Sequence, residues 1–264
     1  MSELSDRVAD LLDSAVGRLV SGKKVAIAFS GGIDSGLIAG LAMRHASKVT
    51  LYTAGTEGSH DIEAAESAAE LLGGDLRTIV LDDDTILDSI KCQIDITGTD
   101  SPLVLAFETP LYNVLRTCTE DTVLGGQGAD EQFAGYQKYV GMKGEQLRDH
   151  IVEDLSRLYS ETKPHEKKLS DHFSKAIGYP YLDRELSALV RAAPIDEIRP
   201  PDADVRKKVL CDAAVALGFG FLAERPKKAA QYGSGTMDSI RRICRDRNTT
   251  YNEMVSGMVR SLRQ

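Results

Sequence analysis

Lys24 to Phe29 (KVAIAF) is a short, nearly unbroken apolar run that stops at Ser30-Gly31-Gly32, after which Asp34 to His45 reads as a helix. A strand that is apolar on both faces must be covered on both faces, and a parallel sheet flanked by helices does this. The pattern recurs. Val49 to Thr53 is β-rich and passes through Gly55-Thr56-Glu57-Gly58 into the Ala/Glu-rich helix Asp61 to Leu72, and Arg77 to Leu81 supplies a third strand. Helices are expected at Thr85 to Ile94 and Phe107 to Glu120, and a fourth strand, Thr122 to Leu124, runs into Gly125-Gly126-Gln127-Gly128. Alternating strands and helices predict an α/β fold with an open parallel sheet, helices on both faces, and ligands beyond the carboxyl ends of the strands.

Ahead of this core, Leu4, Val8, Leu11, Leu12, Val16 and Leu19 repeat at helical spacing and predict a helix ending near Ser21-Gly22. From about Gly141 the β signals fade. Helices are expected at Glu145 to Ser160, Leu186 to Ala193, Val205 to Leu217 and Met237 to Arg245. The polar, proline-punctuated stretches Ser160 to Lys168 and Ile195 to Asp204 read as loops. The expected organisation is one domain over residues 1–264: an N-terminal helix (1–22), an α/β core (23–140) and a mainly helical part (141–264) that completes the ligand site.

Composition narrows the function. The 32 Lys+Arg against 40 Asp+Glu, a net charge of -8, disfavour nonspecific nucleic-acid binding, which needs basic surface against phosphates. No apolar run approaches the ~20 residues of a membrane span, and the start MSELSDRVADLL lacks the basic and apolar regions of a signal peptide, so a cytoplasmic protein is expected. Cys92, Cys118, Cys211 and Cys244 are scattered, with no CxxC pair for zinc or redox chemistry.

The sharpest local signal is Ser30-Gly31-Gly32-Ile33-Asp34-Ser35-Gly36, between a buried strand and a helix start. Glycines there let backbone amides turn toward an anion, the hydroxyls of Ser30 and Ser35 add donors, and the helix N-terminus adds partial positive charge. This is a phosphate cradle, and without a GK[ST] ending it is not a Walker A loop. A carboxylate beside phosphates repels them unless a cation intervenes, so Asp34 implies Mg²⁺, with Asp130 at a neighbouring strand end as the second carboxylate. Asp130-Glu131 also reads as acids in a first helical turn, favoured by the dipole.

SGGIDSG resembles the SGGxDS motif of the PP-loop ATP pyrophosphatases. Further segments resemble the synthetase domain of the asparagine synthetase family in that family's order: Glu57 to Asp61 (EGSHD), Gly125 to Tyr136 (GGQGADEQFAGY), Tyr179 to Asp183 (YPYLD) and Arg225 to Gly233 (RPKKAAQYG). The resemblance implies a ligase in which a substrate carboxylate, by default aspartate, attacks the α-phosphate of ATP. Pyrophosphate leaves, and ammonia or an amine displaces AMP from the acyl-adenylate. It implies that Ser30, Gly31, Gly32, Asp34 and Ser35 hold the pyrophosphate portion, that Thr53, Ala54 and Gly55 border the nucleoside with Gly126 opposite, and that Asp34 and Asp130 carry Mg²⁺. Lys227 matches the family's catalytic lysine, and Arg225 is expected to clamp phosphate. The run Arg206-Lys207-Lys208 is expected to be solvated charge.

Three departures bear on the chemistry. The nucleotide loop is reached by residue 30 with no glutaminase domain ahead of it, so the nitrogen is expected from free ammonia, an amine, or a separate glutaminase subunit, and the uncovered surface is open to homo-oligomerisation. Gln127 stands where asparagine-forming relatives have glutamate; an amide has no useful basicity, so proton removal from the acceptor must fall to another group. Gly178 stands where the family usually has arginine, which removes a guanidinium from the expected acceptor region. Two other readings compete: a PP-loop sulfur- or tRNA-modifying enzyme, disfavoured by charge and by the lack of paired cysteines, and a nonenzymatic ATP-binding subunit, disfavoured by the retained Asp34, Asp130 and Lys227.

Overall fold

The computed structural model describes residues 2–200, 206–223 and 233–263. Helix α1 (Glu3–Val20) starts at a capping box in which Ser2 and Ser5 exchange side-chain and backbone bonds, and it buries Leu4, Val8, Leu12, Val16 and Val20. There follow β1 (Lys24–Ala28), α2 (Ile33–His45), β2 (Lys48–Gly55), α3 (His60–Leu72), β3 (Asp75–Val80), α4 (Asp83–Thr97), α5 (Pro102–Thr117), β4 (Thr122–Leu124) and the short α6 (Ala129–Gln132). The second half holds α7 (Gly144–Arg157), α8 (Lys163–His172), β5 (Ala176–Gly178), α9 (Arg184–Ala192), the single turn α10 (Ile195–Ile198), α11 (Lys208–Ala216), α12 (Thr236–Asp246) and α13 (Tyr251–Leu262). None of the described helices is long and apolar enough to cross a membrane.

The strands form one sheet in the order β3-β2-β1-β4-β5, and every pairing is parallel. The period of two along β1 divides the core. Val25 and Ile27 join the cluster under α1, α2, α3 and α11, and Ala26 joins the cluster under α4, α5, α12 and α13. The chain builds outward from β1 to β3 and then returns to place β4 on the other side of β1. That reversal makes the gap between the carboxyl ends of β1 and β4 the topological switch point, where open α/β sheets bind ligands.

Three expectations for the second half are corrected. Ala176–Gly178, in a region expected to lack strands, is the edge strand β5, in register with β4 through Thr122↔Ala176, Val123↔Ile177 and Leu124↔Gly178. Residues 160–168, expected as a loop, are helical: a π turn (Leu158–Thr162) carries α7 into α8, where Pro164 sits in the first turn. A first-turn proline has no intrahelical N–H bond to lose and is compatible with a helix there. Of the short loop expected at 195–204, Ile195–Ile198 forms one helical turn. The strand expected at Val49 to Thr53 extends to Gly55, so Thr53, Ala54 and Gly55 are strand residues with Thr53 opposite Thr78.

Candidate active site

The loop after β1 is shaped by hydrogen bonds of its own and by close approach to α3. Gly32 caps α2 without a side-chain bond, so the first-turn N–H groups of α2 have no side-chain acceptor from the cap. Ser35 folds back on the loop: Ser30 N donates to Ser35 Oγ at 3.1 Å, and the two hydroxyls lie 3.3 Å apart. Gly31 has φ +72°, and a Cβ there would lie 2.3 Å from the carbonyl carbon of Ala64 in α3. Only glycine combines that conformation with that approach.

The loop after β4 closes on the same point. A Cβ on Gly126 would come 3.3 Å from the Asp34 Cβ, and Gly128, at φ +94°, starts α6 and directs Asp130 back toward Asp34. Tyr181, fully buried beside Phe133, donates to the Asp34 carbonyl at 2.9 Å. Gln132 ties this layer together by donating to Ser187 Oγ at 2.6 Å and to the Tyr181 carbonyl at 3.3 Å.

Between the two acids stands a residue that the sequence reading placed in solvent. Lys207 Nζ lies 2.6 Å and 2.7 Å from the two Asp34 carboxylate oxygens and 2.8 Å from Asp130 Oδ1. Its side chain is 3% exposed. Lys207 therefore joins the site, while Lys208 pairs with Asp212 one helical turn on, as a surface cation does. The sequence carries a signal for this. Lys207 precedes Leu210 and Ala214 at intervals of three and seven, the spacing of the buried face of α11. Lys207 adopts φ +55°, and its stem passes so close to Gly135 that a Cβ there would lie 2.0 Å from Lys207 Cε. Two carboxylates converging on one positive centre form a donor set suited to a cation, which fits the Mg²⁺ role expected of Asp34 and Asp130.

Thr53, Ala54 and Gly55 are buried at the end of β2, and Thr56 N donates to the Ser234 carbonyl at 2.8 Å. One residue beyond Gly55 opens a cavity of about 950 Å³, walled by Thr56, His60, Asp82, Gly233, Gly235 and Arg242 among others. His60, one residue ahead of the helix expected from Asp61, begins α3 and lines this cavity. Arg225 and Lys227 lie outside the described residues.

Gln127 is half-buried, and its Nε2 donates to Glu166 Oε1 of α8 at 2.7 Å. Glu166 and Glu108 of α5 are both shut off from solvent, and sequence reasoning missed both. Glu166 was hidden in a stretch read as a loop. Glu108 was visible as an acid within an apolar helical stripe, Leu105, Glu108, Thr109 and Tyr112, all of them buried.

Gly178 does not face the site. A Cβ on it would lie 2.6 Å from Leu124 Cδ2 and 3.3 Å from Leu19 Cδ1, so the position points into the packing between β5, β4 and α1. Any side chain at this backbone position would start into that packing. Gly178→Arg is expected to overpack the core and lower stability by about 1–3 kcal/mol in urea denaturation. Wild-type stability in that variant would contradict the inward orientation.

The asparagine synthase family profile matches residues 7–176. A putative glutamine-hydrolysing asparagine synthetase of Methanocaldococcus jannaschii is 29% identical over an alignment covering 89% of this chain and 50% of that protein. The carboxyethyl-arginine beta-lactam-synthase of Streptomyces clavuligerus is 26% identical, covering 89% of this chain and 45% of that protein. The chain thus spans about half the length of these curated relatives. A solved NMN synthetase of Francisella tularensis superposes with a TM-score of 0.44 at 13% identity, covering 97% of this chain and 84% of that one. With the profile covering most of the sheet and both glycine loops of the switch point, the chain belongs to the asparagine synthase family.

Proposed function

We propose that this chain is an ATP-dependent, AMP- and pyrophosphate-forming amide ligase, which adenylates a carboxylate, aspartate by default, and passes the acyl group to ammonia or an amine. The observation that carries the proposal is the convergence of Asp34, Asp130 and Lys207 at the N-terminus of α2, in a chain of this family. Acids facing a polyphosphate site oppose ligand binding, and a lysine between them leaves the trio at a net charge of about minus one. Ser30, Gly31, Gly32 and Ser35 cradle the pyrophosphate portion with amides and hydroxyls. Thr53, Ala54 and Gly55 border the nucleoside, and Gly126 lines the other side.

Asp34 and Asp130 would hold Mg²⁺, which when bound neutralises charge on the leaving pyrophosphate. Arg225 clamps phosphate, and Lys227 stabilises charge that grows on the α-phosphate and on the later tetrahedral carbon centre. Residues 1–264 work as one domain, with the helical part completing the site, in the cytoplasm. The nitrogen is free ammonia, an amine, or ammonia from a separate glutaminase subunit. Gln127, in place of the family's glutamate, marks an altered acceptor.

The test is Mg²⁺-dependent exchange of labelled pyrophosphate into ATP, with aspartate beside a panel of other carboxylic acids. Exchange that depends on one acid supports the reading, and its product with ammonium is then identified by mass. No exchange with any acid overturns it. In the exchanging system, Lys227→Ala is expected to lower turnover at least about tenfold while ATP binding persists; an unchanged rate would take Lys227 out of the mechanism.

A further inference from the structure

Strand β3 ends the sheet on one side: β2 pairs with it, and no other strand among the described residues does. One bond sets the phase of its ladder. Leu81 N donates to the Gly55 carbonyl at 2.8 Å, so Asp75, Arg77 and Ile79 also turn their backbone groups toward β2, while Leu76, Thr78 and Val80 turn theirs outward. That outer row carries no charge, no proline and no bulge. Thr78 and Val80 are exposed, Val80 at 57%. The opposite edge, β5, is only three residues long, one of the ways in which sheets blunt an edge; β3 has six residues in unbroken register and none of these protections, so it is a template for another strand.

The edge is complementary to itself. A two-fold axis at Thr78 sets a second copy antiparallel, with Thr78 opposite its own mate and Leu76 opposite the mate's Val80 at both ends. All three outward residues of each copy then exchange backbone hydrogen bonds. Their side chains share the face covered by α3, where Leu76 packs on the core and the exposed Leu71 lies at the Leu76 end, because α3 turns there through Gly73 and Gly74 into β3. Each Val80 thus meets apolar surface on the other copy. On the opposite face Arg77 is drawn back over the Tyr52 ring of its own chain, 5.7 Å from the centroid, which keeps the two guanidiniums from meeting across the axis. Charge favours the same direction. Lys48, half exposed and 3.5 Å from Asp75, stands at the N-terminal end of β3, and the exposed Asp82 and Asp84 stand just past its C-terminal end. An antiparallel mate brings its acidic end beside the lysine end, whereas a parallel mate would set acids against acids.

We propose that β3 is a homodimer interface, in which two copies of this chain join their sheets by antiparallel pairing of β3 with β3 about Thr78. Val80 and Asp82 also wall the cavity beyond Gly55, so the pairing sets the lysine end of one copy beside the cavity of the other. The interface is independent of the ligase reading, since it uses none of the residues assigned to nucleotide or metal.

Sedimentation of the full chain from about 5 to about 500 μM should show a mass that approaches twice that of the chain, as expected for a small interface of micromolar affinity. A monomer at every concentration overturns the proposal. Thr78→Pro removes an outward N–H that β2 does not use, and Val80→Lys puts a charge into the apolar pair; each should raise the dissociation constant at least about tenfold. Val80→Lys, at an exposed position, keeps the test decisive if the proline unfolds the edge. A wild-type dissociation constant in Val80→Lys would place the dimer on another face and overturn the assignment.

Cross-linking reads the axis itself. Opposed residues of a hydrogen-bonded antiparallel pair have Cα atoms about 5.5 Å apart, within disulfide reach, while the two Val80 positions are offset by about 14 Å along the strands. Thr78→Cys should therefore give a covalent dimer under mild oxidation, and neither Val80→Cys nor wild type should. Cross-linking through Val80→Cys instead, or through neither variant, overturns the two-fold at Thr78.

Discussion

Gly31→Ala should unfold this protein at markedly lower denaturant concentration than Gly32→Ala, although the two glycines are neighbours in one motif. At Gly31 the backbone is left-handed, at φ +72°, and the new methyl would meet the α3 backbone at 2.3 Å from both the carbon and the oxygen of the Ala64 carbonyl. The conformation alone costs about 1–2 kcal/mol for an L-residue. The contact is with helix backbone, which cannot rotate away as a side-chain end can, so overpacking adds about 1–3 kcal/mol. A total near 3 kcal/mol lowers the melting temperature by roughly 6–12 °C for a chain of this size. At Gly32 the nearest atom to a new methyl is Ser30 Oγ, at 3.6 Å, so that variant should lose less than about 1 kcal/mol. Urea denaturation of the pair decides the matter. Equal losses would mean that the loop does not lean on α3, and that its glycines serve ligand approach alone.

That contrast also shows what was legible in the sequence. Strands β1, β2, β3 and β4 were readable because each is a short apolar run or a β-rich stretch bounded by turn residues, and the phosphate cradle was readable because glycine and hydroxyl residues fall at a strand end. β5 was not readable, since Ala176–Gly178 is too short to show any period and owes its conformation to pairing with β4. α8 was obscured by Pro164, a helix breaker in the interior but an acceptable residue in a first turn. The site was half legible for a related reason. Asp34 and Asp130 lie in recognisable loops, whereas Lys207 sits in a basic run whose ordinary meaning is surface charge, and only its register with Leu210 and Ala214 points inward. Glu166 was missed together with its helix. In each case tertiary contact, not local pattern, decided the outcome.

Lys207→Met should give the second large effect, and Mg²⁺ should partly reverse it. The substitution keeps the length and apolar stem of the side chain that passes Gly135, and removes the ammonium that lies 2.6–2.8 Å from the two acids. Breaking a fully buried ion pair from one side costs about 3–5 kcal/mol, because the remaining charge is left without compensation. Here the side chains of Asp34 and Asp130 are 15% and 20% exposed, so water relieves part of the repulsion and the loss should be about 2–3 kcal/mol. A divalent cation that binds the folded acids and not the unfolded chain restores stability by mass action. Thermal melts of both proteins, with and without MgCl₂ at constant ionic strength, test this. The melting temperature of the variant should fall by roughly 4–12 °C without Mg²⁺ and rise with it more steeply than that of wild type, where Lys207 already offsets part of the acids' charge. The same variant should bind ATP more weakly without Mg²⁺, since two uncompensated carboxylates then face the phosphates. A variant as stable as wild type and indifferent to Mg²⁺ would show that the three groups do not act as one cation site, and would separate Asp34 and Asp130 from the metal role on which the ligase reading draws.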